Sequence, residues 1–143
     1  METKLDIAKN WLPRYTGMPL EKFGDYILVT NFKNYVEKFS ERFSVEIHGE
    51  GRAMQAATNS NGLTIINFGM GSPNAATIMD LLVAVKPKGV LFLGKCGGLK
   101  DSSEIGNFIL PIGAIRGDGT SNDYFPLEVP ALPSVSYTHL TLP

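Results

Sequence analysis

A glycine turn occurs twice in this chain, each time directly behind a short apolar run. Leu63 to Phe68 runs into Gly69-Met70-Gly71-Ser72-Pro73-Asn74, and Val90 to Leu93 runs into Gly94-Lys95-Cys96-Gly97-Gly98. An apolar run that stops at glycines reads as a buried strand whose backbone bends sharply and comes close to something at its carboxyl end. In open α/β sheets that edge is where ligands sit. Between the two turns, Ser72 suits an N-cap and Pro73 the first helical position, and Ala75, Ile78, Met79, Leu82 and Val85 follow at helical spacing. Lys86 precedes Pro87 and sets the expected helix end. Strand, turn, helix and strand form one βαβ unit, for which a right-handed connection is expected. Its helix N-terminus offers N–H groups and a partial positive charge to an anion, although the glycines alone would also serve close packing of helix on strand.

Composition narrows the classes. The chain has 143 residues, 43% hydrophobic and 19% charged, which suits one globular domain with its own core. With 13 basic and 14 acidic residues there is no electrostatic footprint for nucleic acid or an anionic membrane. No apolar run approaches the roughly 18 residues of a membrane span, and Met1 to Asn10 is charged rather than signal-like, so a cytoplasmic protein is expected. The single cysteine, Cys96, excludes an internal disulfide, and His48 and His139 are too far apart in sequence to suggest a metal cluster. Cys96 reads as a small buried thiol beside its turn, because no histidine stands nearby in sequence to activate it.

Along the chain, the mixed segment before Lys22 suggests an N-terminal helix or arm, and Tyr26 to Thr30 is a strand candidate. Phe32, Tyr35, Val36, Phe39 and Phe43 then recur at helical spacing, with Lys33, Asn34, Glu37, Lys38 and Glu41 opposite, which reads as a core stripe. Val45 to Ile47 and Met54 to Thr58 are weaker strand candidates, Asn59 to Gly62 is a polar turn, and Asn107 to Ile112 is a strand interrupted by Pro111. Gly117 to Pro133 carries turn formers and little periodicity. The alternation predicts an α/β fold, three-layer αβα, around a central, mostly parallel mixed sheet. We read residues 1–133 as one domain. The last ten residues, 134–143, resemble a translated sequencing-adapter sequence and are expected to be a non-native tail.

Three segments in order resemble the nucleoside phosphorylase superfamily, and within it the AMP nucleosidase family. They are Asn67 to Thr77, similar to the family's first glycine loop; Leu93 to Lys100, similar to its central strand-end turn; and Ala114 to Pro126, similar to its base-side loop. The resemblance spans about Lys22 to Pro133 and covers the amino-terminal part of the family domain, so the fold is expected to be nucleoside phosphorylase-like and incomplete at the C-terminus. It implies hydrolysis of the N-glycosidic bond of AMP to adenine and ribose 5-phosphate, with no cofactor. Such chemistry passes through an oxocarbenium-like sugar, and it needs an acid for the base, a grip on the ribose hydroxyls, and cations or amides on the phosphate.

The resemblance places substrate binding at Gly69, Gly71, Ser72 and Asn74, at Lys95, Cys96 and Gly97, and at Arg116, Thr120, Ser121 and Asp123. Lys95 would neutralise the phosphate. Arg116 would bind it in bidentate fashion or pair with Asp118 or Asp123. Thr120, Ser121 and Asp123 would line the nucleotide site or form a side-chain-capped turn. Arg52 stands where relatives send an arginine into a neighbouring subunit, so a homo-oligomer, a hexamer in relatives, is implied. Phosphorylases place an arginine and a serine or threonine where this chain has Phe92 and Lys95. That change favours a nucleotide bringing its own phosphate over free phosphate as nucleophile. The catalytic acid and ribose-binding glutamate are expected beyond Pro133, and residues 1–143 alone are expected to be inactive. The alternatives are a purine or uridine phosphorylase, and a nucleotide-binding or inert truncated module. A dinucleotide-binding Rossmann domain ranks last, because Gly69, Gly71 and Asn74 leave G-x-G-x-x-G incomplete.

Overall fold

The computed structural model describes residues 2–133. It divides into two compact units, Met1–Lys95 and Cys96–Pro143, each taken by itself below.

The first unit begins with helix α1 (Lys4–Thr16), the helix anticipated before Lys22. Thr3 starts it through a capping box: its hydroxyl accepts from the Asp6 N–H at 3.2 Å, and the Asp6 carboxylate accepts from the Thr3 N–H at 3.0 Å. Ala8, Leu12 and Thr16, four residues apart, form its buried face. Gly17, at φ 67°, closes the helix by donating its N–H to the Pro13 carbonyl at 2.8 Å.

Four strands follow: β1 (Tyr26–Thr30), β2 (Gln55–Thr58), β3 (Leu63–Asn67) and β4 (Gly89–Leu93). They lie in the order β2-β3-β1-β4, with β1 parallel to both β3 and β4 and β2 antiparallel to β3. The β2–β3 turn is the polar Asn59 to Gly62 segment, where the Asn59 side-chain oxygen accepts from the N–H groups of Asn61 and Leu63, both at 3.0 Å. Helices α2 (Lys33–Phe43) and α3 (Ser72–Leu81) complete the unit, and α3 carries the chain from β3 across to β4.

Side chains alternating along the strands divide the core in two. Ile27 and Val29 of β1 and Ile66 of β3 join Leu12 of α1 and Ile78 and Leu81 of α3 on one face. Leu28 and Ile65 point the other way, onto Val36 and Phe39 of α2. The result is helix, mixed sheet, helix: the three-layer fold predicted from the sequence. Fully buried side chains such as Leu12, Ile27, Ile66 and Ile78 each contribute roughly 1.5–3 kcal/mol of burial.

Several expectations need correction. Val45 to Ile47 is not a strand; the nearest pairing is an isolated bridge from His48 to Ala56. The helix expected to reach Lys86 leaves α geometry after Leu81 for a 3₁₀ turn, Leu82–Ala84, and Lys86 itself takes φ 47°, away from the right-handed helical region that a following proline disfavours. Met79 is 49% exposed, and Leu81 takes the inward position instead. Among the described residues strand β4 lies at the edge of the sheet, beside β1, and Leu91 and Phe92 are 42% and 57% exposed rather than buried.

The second unit holds a 3₁₀ turn, Thr120–Asp123, and a bridge from Ala114 to Ala131. Asn107 to Ile112 is irregular rather than a strand. Pro111 cannot donate to a ladder, and Phe108, Ile109 and Ile112 are exposed. Residues 134–143, read above as a tail, lie outside the described residues. No helix among the described residues is long and apolar enough to cross a membrane.

Candidate functional site

Thr30 at the end of β1 pairs with Asn67 of β3 on one side and Leu93 of β4 on the other. Three strands therefore stop level with one another, and the two glycine turns flank the end of β1 on a single carboxyl edge. The Phe68 N–H extends the ladder to the Thr30 carbonyl at 3.0 Å, and the Gly69 N–H then turns onto the Asn67 side-chain oxygen, also at 3.0 Å. Gly69 and Gly71 adopt φ 83° and 98°, a region that only glycine enters without strain, so both glycines of this turn are required by the bend itself.

The bend delivers α3 one residue earlier than predicted. Gly71 is the N-cap and Ser72 is the first helical residue, because only glycine tolerates the cap's backbone conformation. The Asn74 amide donates to the Met70 carbonyl at 3.0 Å and the Thr77 hydroxyl to the Pro73 carbonyl at 2.9 Å, so both side chains brace the turn from behind.

Two helices start from this edge, α2 behind β1 and α3 behind β3. Neither N-terminus has a side-chain cap, and neither first turn carries an acid. Helix α1, by contrast, has a capping box and an acid in its first turn. Each of the two N-termini at this edge, one on either face of the sheet, thus lacks a compensating cap or acid, and such an end suits an anion. Lys95 adds a full charge. Its ammonium lies 4.4 Å from the centre of the Phe32 ring and 5.4 Å from that of Tyr35. At the end of β1, the side-chain oxygen of Asn31 is buried without a hydrogen-bond partner. Sequence reasoning passed over Asn31 because it followed glycines, and the β1 turn, Thr30-Asn31-Phe32, contains none. Its signal was position: a polar residue directly behind an apolar strand.

Gly69, Gly71, Ser72, Asn74 and Lys95 are therefore brought to one edge. Arg52 belongs to the turn that leads into β2, where its guanidinium donates to the Arg14 carbonyl at 2.9 Å in the last turn of α1. The remaining predicted site residues lie in the second unit. Cys96 is an exposed free thiol, which corrects the expectation of burial, and a side chain at Gly97 would meet nothing within 4 Å. The Arg116 guanidinium donates to the Ser121 and Phe125 carbonyls at 2.9 Å each, and to the Pro126 carbonyl. Thr120, Ser121 and Asp123 form the short 3₁₀ turn that Arg116 holds, and the Ser121 hydroxyl donates to Asp118 at 2.9 Å. Arg116 thus orders its own loop through carbonyls.

Fold and edge together define an α/β protein with two glycine turns at the carboxyl edge of its sheet. Residues 17–141 match the family model of the phosphorylase superfamily, and the chain belongs to that family. It is similar to AMP nucleosidase of Escherichia coli (strain K12), with 28% identity over 93% of this chain and 35% of that protein. The crystal structure of AMP nucleosidase from Bacteroides thetaiotaomicron VPI-5482 is similar at 60% identity with a TM-score of 0.87, covering 94% of this chain and 58% of that one. Uridine phosphorylase of Treponema pallidum (strain Nichols) is 26% identical over 87% of this chain and 50% of its own length. The chain thus spans between 35% and 58% of these relatives.

Proposed function

We propose that the intact protein hydrolyses the N-glycosidic bond of AMP, releasing adenine and ribose 5-phosphate. The observation that carries the reading is 60% identity to the Bacteroides thetaiotaomicron AMP nucleosidase structure, over 94% of this chain. The geometry supports it from a separate direction, because the glycine edge suits a phosphate ester. The 5′-phosphate would lie at the N-terminus of α3, against the backbone of Gly69, Gly71 and Ser72, with Lys95 supplying the countercharge. That grip, far from the breaking bond, orients C1′ toward water. Water oxygen bonds to C1′ as the C1′–N9 bond breaks, and adenine leaves with the proton. We assign Cys96, Gly97, Thr120, Ser121 and Asp123 to the nucleoside side, with Arg116 shaping the loop of the last three through its carbonyl contacts, and Arg52 to a homo-oligomer contact of a cytoplasmic enzyme.

The test is product analysis. The intact protein is expected to yield adenine and ribose 5-phosphate from AMP without added phosphate. Base release only when inorganic phosphate is supplied, with ribose 1-phosphate formed from a nucleoside, would overturn hydrolysis. It would favour the second reading, a nucleoside phosphorylase, which the 26% identical uridine phosphorylase supports.

A further inference from the structure

Lys95 follows β4 on a four-carbon stem that would sweep a wide volume if nothing held it. No carboxylate among the described residues forms an ion pair with it. What holds it is aromatic. Phe32 is the N-cap residue of α2 and Tyr35 lies one turn on, with ring centres 5.4 Å apart. The ammonium sits over both, 4.4 and 5.4 Å from their centres. A carboxylate would fix the ammonium equally well but would cancel its charge. Ring faces attract a cation through their quadrupoles and leave its net charge intact. The ammonium also keeps N–H donors for a ligand.

We propose that Phe32 and Tyr35 are positioning residues that hold Lys95, still fully charged, for the phosphomonoester of a 5′-nucleotide, and so favour nucleotide over nucleoside. The proposal rests on the function proposed above and deepens it. Two uncapped helix N-termini at the same edge disfavour a loose cation there, so a restraint that does not spend the charge has a reason to exist.

The test uses the intact protein with two readouts. The first needs no ligand: the methylene protons beside the Lys95 ammonium are expected to resonate upfield through ring currents, and Phe32→Leu is expected to abolish the shift. The second is kinetic. Phe32→Leu is expected to raise the KM for AMP and the Kd for ribose 5-phosphate by roughly three- to tenfold, the size of a lost cation–π contact, with a smaller change in kcat. Phe32→Tyr should restore both. In a Lys95→Met background Phe32→Leu should add nothing further, because its target is gone. An unshifted Lys95 methylene signal in the wild type, or an equal effect of Phe32→Leu with and without Lys95, overturns the proposal. A wild-type protein that neither binds ribose 5-phosphate nor cleaves AMP overturns the function above and with it the phosphate role of the rings. The ring-current shift then still reports whether the rings hold the lysine.

Discussion

Gly24 lies so close to Gly62 that a methyl group at position 24 would overlap the Gly62 carbonyl oxygen. This contact joins the turn before β1 to the turn before β3. The Gly24 N–H also donates to the Thr64 hydroxyl at 2.8 Å, and that hydroxyl in turn meets Thr58 at 2.8 Å. Gly24→Ala is therefore expected to destabilise by about 1–3 kcal/mol, the range for inserting atoms into packed space. Chemical denaturation of wild type and variant measures it, and an unchanged midpoint would contradict the contact.

Lys95→Ala is expected to weaken ribose 5-phosphate binding by about 1.5–3 kcal/mol, the worth of a hydrogen bond to a charged group. Calorimetric titration of the intact protein reads this directly. Adenine itself, lacking a phosphate, should bind the variant and the wild type alike.

Leu12→Ala removes a fully buried side chain from the centre of α1, where that helix packs on the sheet and α3. The expected cost is about 2–5 kcal/mol. A thermal melt shows it as a large fall in Tm, whereas Met79→Ala, on the exposed side of α3, should move Tm little.

Hydrogen bonds from the Thr3 side chain and then its backbone hold the Asp6 carboxyl below its ordinary value of 3.8. A carboxylate depressed in the folded state contributes stability above its unfolded pKa, and that contribution is lost as pH falls through the folded value. The first turn of α1 is thus expected to loosen on the acid side of 3.8. Protection of the Asp6 and Ile7 amides relative to their intrinsic exchange rates, followed from neutral to acid pH, should fall there in the wild type. In Asp6→Asn the protection should be low and independent of pH.

The parts legible in the sequence were those fixed by local rules. Strands β1 and β3 and the start of α3 follow from apolar runs and glycine punctuation, and α2 from its aromatic spacing. Even there the aromatic stripe split in a way spacing does not encode. Val36 and Phe39 entered the core, Phe32 turned to Lys95, and Tyr35 meets both, packing against the core while its ring faces the lysine. Asn107 to Ile112 reads as a strand by composition, yet a strand also needs a partner edge and a covering layer, which are tertiary properties. Arg116 illustrates the same limit at the site. An arginine among acids and turn formers reads as an anion ligand or an ion pair, but its planar fork fits the carbonyls of its own loop.

The pairing of Thr30 with Leu93 sets where Lys95 falls. A slip of one residue between β4 and β1 would carry that lysine about 3.3 Å along the strand and invert every β4 side chain. On the phosphate-binding role proposed for Lys95, substitutions far down β4, near Gly89, are expected to detune nucleotide affinity without touching the ligand, by shifting the scale on which the last residue is measured.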